Sequence, residues 1–355
     1  MDLKLQLIKI DITIPYCIDT LLPRKMLYSI DGIPLLQYRK IECEKYLTDC
    51  ISSINLMDYN DIITSDTNNE DYSLFELLLH KIKTCPTINS LYLRGKDIGS
   101  DGIIKILNIL IDCDISLSPA YNLKTISLID CNIGTLGAIA LAKILIIDNL
   151  SIERLIVKND SIQYDGIVAL GNAIASSTTL IELVLNKTID GSINYLVNSL
   201  IYCNTLQILD LSNNCMNNST FIILNELLKT NNSILFLSIS NVIKINDYIE
   251  QNEGFRQMWN DSLVENTILK SIDISHNCLQ SDDIMVIVHA MKNNKSIQSI
   301  YLHNNFITNR GGLLLLDMVK NTGKLHFNHN SILEKLSLYN NWLDYEIEYE
   351  IMTLL

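Results

Sequence analysis

Along this chain, apolar and polar positions recur in a string of the form LxxLxLxxNxL. Its clearest copies are LQILDLSNNCM from Leu206, LKSIDISHNCL from Leu269, IQSIYLHNNFI from Ile297 and LEKLSLYNNWL from Leu333. Weaker copies start at Ile88, Leu123 and Ile152, and a degenerate one starts at Ile51. Copies at Leu180 and Ile234 keep the first three apolar positions and then lose register. Successive starts lie 37, 35, 29, 28, 26, 28, 35, 28 and 36 residues apart, a return to 28 that marks an internal repeat. Within each copy, LxL alternates apolar with polar residues, the period of a strand with one buried face. The asparagine that follows has an amide able to bond neighbouring backbone, so a column of such residues can satisfy the turns of stacked coils. Asn214, Asn277, Asn305 and Asn341 fill that place, Cys131 and Asp160 are tolerable substitutes, and Lys96 and Thr188 are departures.

A helical half follows each strand. GIIKILNIL from Gly102, GAIALAKIL from Gly137, GIVALGNAI from Gly166 and GLLLLDMV from Gly312 carry apolar residues at helical spacing. Asp101, Asp165 and the run Ser281-Asp282-Asp283 are capping candidates ahead of such helices. One strand with one helix cannot bury its own apolar face, so the units must stack. Parallel strands then line the inside of an arc and helices its outside. The expected fold is an α/β solenoid over residues 51–355, with nine or ten repeats and one parallel sheet from about Ile51 to Leu338. Residues 1–50 do not match the repeat and read as a cap over the first strand. The longer spacings imply insertions near residues 112–122 and 323–331, and 241–267 reads as another break.

With 48% apolar residues, five prolines and thirteen glycines, the chain can bury a large core. Its 56 isoleucines and 38 asparagines are an excess that coding bias alone could explain. A net charge of −13 argues against extensive contact with nucleic acid phosphates, leaving room only for a local basic patch. Nine cysteines occur with no C-x2-C, the pattern of buried thiols in a reducing compartment. Lys4, Lys9 and Asp11 interrupt the first apolar run, which makes it a poor signal peptide, and no stretch is long enough to span a bilayer. Asn-x-Ser/Thr triplets, as at Asn186, Asn218 and Asn294, read as chance products of an asparagine-rich chain. The expected location is the cytoplasm, with the nucleus as the alternative, and no membrane association.

A 28-residue unit with a full helix resembles the ribonuclease-inhibitor class of leucine-rich repeats, over about residues 51–355. That resemblance implies the solenoid and a binding role but leaves the partner open. More distantly the chain is similar to the Ran GTPase-activating proteins, built from the same class. The points of similarity are DYNDIITSD followed by SLFELLLHKIKTCPTI, and the insertion before Leu123. The family's arginine in the turn after such a segment is replaced here by Ser65-Asp66-Thr67. Its early-repeat asparagine corresponds to Asp130-Cys131 or to Gly95-Lys96, and its long acidic tail is missing.

No nucleophile elbow, phosphate-binding glycine loop or zinc-protease helix is present, so no catalytic residue, cofactor or metal is assigned. His326 and His329 form an H-x2-H without further ligands near them, and Asn69-Glu70-Asp71 sits in a polar stretch that reads as a loop. Asp344, Glu346, Glu348 and Glu350 read as the solvated side of a terminal helix, which either caps the stack or docks its edge on a partner or a second copy. Strand residues between the buried leucines must face the hollow. They are Tyr92, Arg94, Arg154 and Lys158 early, Asp210 and Asp273 in the middle, and Tyr301, His303, Lys335 and Tyr339 late. This face, basic early and acidic in the middle, is the candidate site for a protein partner. A non-enzymatic interaction scaffold and a Ran-type GTPase activator are the two functional readings.

Overall fold

The computed structural model describes residues 53–56, 79, 89–95, 98–112, 123–147, 150–189, 192–243, 248–322 and 333–355. The N-terminal segment 1–50, residues 65–71, Lys96, the insertion at 323–331 with His326 and His329, and most of residues 112–122 lie outside them. Of the SLFELLLHKIKTCPTI helix, only Leu79 falls inside.

Ten strands form one parallel sheet in chain order: β1 (Ser53–Leu56), β2 (Ser90–Arg94), β3 (Thr125–Ile129), β4 (Arg154–Lys158), β5 (Glu182–Asn186), β6 (Ile208–Asp210), β7 (Phe236–Ser238), β8 (Ser271–Asp273), β9 (Ser299–Tyr301) and β10 (Lys335–Ser337). Between them run α1 (Gly99–Asp112), α2 (Gly134–Leu145), α3 (Tyr164–Ser176), α4 (Ile193–Leu200), α5 (Asn218–Thr230), α6 (Tyr248–Met258), α7 (Ser281–Met291) and α8 (Asn309–Thr322), and α9 (Tyr345–Leu354) follows the last strand. Each strand begins two residues after the start of a sequence copy, at all ten copies. This alternation of strand and helix is a leucine-rich repeat solenoid.

Register is set by the apolar positions. Leu91, Ile126, Leu155, Leu183, Leu209, Leu237, Ile272, Ile300 and Leu336 are laterally paired into one row across the sheet. All are buried, and each contributes roughly 2 kcal/mol of transfer free energy. A one-residue slip would turn the whole row outward, so burial holds the register. The copies at Leu180 and Ile234 pair through the apolar positions they keep, Leu183 and Leu237 among them. What they lose is the asparagine, replaced by Thr188 and Val242.

Two further expectations are corrected. The break at 241–267 holds the helical half of its repeat: α6 and a π-helical turn over Trp259–Leu263 bury Phe255, Met258, Trp259 and Leu263. Phe255 meets Phe221 of α5 edge-on, with ring centroids 5.9 Å apart. Polar residues on its other face hid this helix from the pattern. The capping candidates, secondly, lie inside the first turns of their helices, because those helices start before the apolar spacing begins. Asp101 and Asp165 favour the helix as acids near its N-terminus. Asp283 accepts from the Gln280 N–H at 2.8 Å and pairs with Arg256 Nε at 2.7 Å. The terminal helix is as expected: Asp344 precedes α9, Glu346 and Glu348 occupy its first turn, and Asp344, Glu346 and Glu350 are exposed. Ile351 is buried and Ile347 packs against the core, while Glu350 pairs with Lys320 at 2.6 Å.

The asparagine column crosses from each repeat to the one before it. Asn277, fully buried, donates to Ile239 O at 2.7 Å and accepts from the N–H groups of Val242 and Ile243 at 2.8 and 3.0 Å. Asn214 donates to Leu185 O and Leu211 O and accepts from Thr188 and Ile189. Asn305 accepts from Asn277 and Leu279. Asn341 accepts from Ile307. Thr188 departs from asparagine, yet its hydroxyl donates to Val157 O at 3.1 Å and so keeps the donor half of the role. The Cys131 thiol does the same toward Leu93 O at 3.3 Å. Burial pushes that thiol up to about 12, so it is inert.

Two more asparagine columns went unread. The residue before each ladder position holds left-handed backbone at Asp130, Asn159, Lys187, Asn213, Asn241, His276, Asn304 and Asn340, with φ between 52° and 62°. Asparagine and aspartate tolerate this conformation better than most residues. At the turns from helix to strand, Asn231, Asn266 and Asn294 each accept from two following backbone N–H groups and donate to a carbonyl of the preceding repeat. Part of the asparagine excess is thus structural.

Replacing Asn277 by Ala leaves two N–H groups and one carbonyl buried without a partner. The expected loss is about 3 kcal/mol in chemical denaturation. Asp160 is the ladder's weak rung: Oδ1 accepts from Ile133 N at 2.8 Å, while buried Oδ2 has no partner. Burial raises this carboxyl to about 6, so the folded chain holds the proton more tightly than the unfolded one. Its contribution is greatest below about pH 4 and is lost as pH rises through about 6. Asp160→Asn should raise stability at neutral pH, by on the order of 1–3 kcal/mol, and flatten the stability curve between pH 4 and 6.

Candidate functional site

Side chains at the third, fifth and seventh motif positions project from the sheet opposite the helices, because the fourth and sixth fill the core. All ten candidate residues lie on this open face. The strands separate them into three groups, which make different contacts.

At the N-terminal end, Tyr92 and Arg94 stand on β2, and Arg154 and Lys158 on β4. Arg94 Nε lies 3.4 Å from Asp130, and Arg154 Nε lies 2.6 Å from Glu182 of the next strand. Two of the three cations in this basic region are therefore neutralised by acids absent from the sequence-based set, and the change of sign along the face is weaker than expected. Both pairs are solvent-exposed on the arginine side, where such bridges contribute little stability. Lys158 has no ion pair among the described residues.

In the middle, Asp210 and Asp273 sit two strands apart and are linked through Ser212 and Ser238. Asp210 Oδ1 accepts from Ser212 N at 2.8 Å, and Ser212 Oγ lies 2.6 Å from Ser238 Oγ. Ser238 Oγ reaches Asp273 Oδ2 at 3.5 Å, and Asp273 Oδ1 accepts from Ser275 Oγ at 2.7 Å and Ser275 N at 3.0 Å. These contacts fix both carboxylates in place without neutralising them.

At the C-terminal end the four candidates come together. Lys335 Nζ sits 4.8 Å from the centroid of the Tyr301 ring, a cation–π contact. His303 stacks on Tyr339 at 4.3 Å, with the planes 12° apart, and His276 meets His303 edge-on at 5.6 Å. His276 was missed because it lies one residue past the alternating stretch, on the left-handed turn. Beyond this cluster, Phe306 and Trp342 pack at 5.0 Å, with Trp342 66% exposed. Ser337 Oγ lies 3.3 Å from His303 Nδ1, which is two-thirds of a hydrolytic triad. Among the described residues no carboxylate bonds His303 as a third member: the nearby Asp273 spends its oxygens on Ser275 and Ser238.

The same strand positions also carry apolar side chains that the sequence reading passed over: Ile129, Ile156, Val184, Ile208 and Phe236. Selecting only charged and aromatic residues hid them, although the positional signal was the same. Of the activator's two alternative registers, Lys96 lies outside the described residues, and Asp130-Cys131 is a left-handed turn followed by a buried ladder thiol.

The sequence matches no protein-family model and no curated protein. Among solved structures, a Bacteroides fragilis protein shares 12% identity, over 85% of this chain and 82% of its own, with a TM-score of 0.41. An internalin of Listeria monocytogenes shares 13% identity over 78% of this chain and 62% of its own, with a TM-score of 0.37. The human trophoblast glycoprotein 5T4 shares 13% identity over 67% and 77%, with a TM-score of 0.39.

His303 has its imidazole pushed below the usual value by burial, further by His276 and against the pull of Asp273. The folded chain therefore binds this proton less tightly than the unfolded one. The contribution to stability is present above the ordinary histidine range and is lost as pH falls through the lowered folded value. Proton NMR should show His303 titrating below a free histidine. Tyr339→Ala, which uncovers the ring, should move its titration back up.

Proposed function

We propose that the protein is a non-enzymatic interaction scaffold that holds a protein partner on the open face of its sheet. The observation that carries this reading is the cluster of Tyr301, His303, Lys335 and Tyr339, held by ring and cation contacts on strands whose register the core enforces. Aromatic side chains ordered before binding lose little freedom on association and dominate interface energies elsewhere. The engagement of both Asp273 oxygens by Ser275 and Ser238 supports binding over hydrolysis.

The full helices of 8–14 residues in the repeats support the ribonuclease-inhibitor class of unit. Cys131, Cys203, Cys215 and Cys278 are free thiols, which supports a reducing compartment such as the cytoplasm or nucleus. Among the described residues, no helix is long and apolar enough to cross a membrane. No described residue favours the Ran-type activator, and GTP hydrolysis by Ran should be unchanged by added protein.

The test is affinity capture with mass spectrometry on wild type and on a Tyr301→Ala, Tyr339→Ala double variant. Both rings are at the surface, so the variant should unfold at nearly the wild-type denaturant concentration while recovering much less partner. If it recovers partner normally while deletion of 323–331 abolishes recovery, the rim is the site.

A further inference from the structure

Five apolar side chains form a diagonal across the open face. Ile129 stands at the seventh motif position on β3, Ile156 and Val184 at the fifth on β4 and β5, and Ile208 and Phe236 at the third on β6 and β7. Ile156 is laterally paired with Val184, and Ile208 with Phe236. Val184 is buried yet stands apart from the core between sheet and helices, and the other four are half-buried. Four strand spacings and two two-residue offsets make the stripe about 23 Å long. It crosses the strands obliquely, and nothing in the packing of the core calls for it.

We propose that this stripe is a docking track for one amphipathic α-helix of a partner protein, a reading that rests on the open face being the binding surface. The length corresponds to about four helical turns, or roughly 16 residues. An extended peptide fits poorly. The strands beneath the stripe already spend their backbone groups on each other, so a strand laid over it would bury its own N–H and C=O groups without partners. A helix satisfies its backbone internally and offers side chains at i, i+3, i+4 and i+7. A second copy fits poorly too, since the hollow of one arc cannot receive the hollow of another.

Charge sets the direction in which the helix lies. Along one flank, Lys158 borders the Ile129–Ile156 end, and Asp210 and Asp273 border the Ile208–Phe236 end. None of the three is in an ion pair among the described residues. On the other flank, Arg154 and Glu182 neutralise each other. The partner helix therefore carries its basic residues at the Phe236 end and its acidic ones at the Ile129 end.

A display library of random 16-residue peptides, panned on the full chain, tests this. Enriched peptides should show apolar residues at helical spacing, with basic residues clustered toward one end, and a central proline should abolish binding. An Ile156→Ser, Ile208→Ser variant, checked for an unchanged unfolding midpoint, should bind the synthesised peptide at least about tenfold more weakly. Should that variant unfold, Phe236→Ser replaces it. Asp210→Asn with Asp273→Asn keeps the backbone contacts and should reduce both affinity and its salt dependence. The proposal is overturned if no peptide is enriched, if the enriched peptides lack helical period, or if they bind the stripe variants as tightly as wild type. Binders lost only on the Tyr301→Ala, Tyr339→Ala variant would keep the open-face reading and discard the helix track. Binders indifferent to both sets of substitutions would discard both.

Discussion

A side chain that bonds the backbone of the preceding repeat is the interaction on which this solenoid depends. The strand-to-helix turns are enclosed on both sides, away from water, and a buried amide without a partner is costly. The ladder residue resolves this by supplying an acceptor to N–H groups of the repeat before it and a donor to a carbonyl there. Where the residue is asparagine, both halves are met, as at Asn214, Asn277, Asn305 and Asn341. Cys131 and Thr188 retain only the donor. Asp160 retains only the acceptor and carries a carboxyl oxygen that nothing satisfies. The ladder is complete from Asn277 onward, is interrupted at Val242, and is improvised from Thr188 toward the N-terminal end.

The strands were legible in the sequence because leucine and isoleucine at the fourth and sixth positions can fill only one face of one kind of element. The α6 helix was not, because its apolar residues are few and its outer face is crowded with polar ones, which masks the period. Helix starts were displaced for a related reason: the first turn contributes little to the core and leaves no apolar signal. The placement of the candidate residues on the open face was legible, but not the contacts they make there. Alternation alone assigned Tyr301 and Arg154 to the hollow, but whether a charge is spent depends on the neighbouring strand. Glu182 neutralises Arg154 from 28 residues away. The apolar diagonal is likewise invisible in any single repeat, since each contributes one residue at a shifting position.

Dividing the strand into core-facing and open-facing positions separates two tasks within one short peptide. The core positions are restricted to a few apolar residues. The open positions carry isoleucine, serine, aspartate, tyrosine, lysine and arginine with no visible effect on register. The serine links between Asp210 and Asp273, and the stacked rings near β10, show that this freedom still yields ordered surfaces, with carboxylates and aromatic rings fixed before any contact is made.

The ladder also has a direction. Asn305 completes the turn that contains Asn277, and Asn277 completes the turn that contains Val242, so each unit is finished by the one that follows it. On a ribosome the chain emerges in the opposite sense, N-terminal unit first. Wherever the next ladder residue is an asparagine, the newest complete repeat therefore waits, with backbone amide groups unmet, until that residue has been made. Synthesis of this protein proceeds with one open joint that travels along the chain ahead of the folded part.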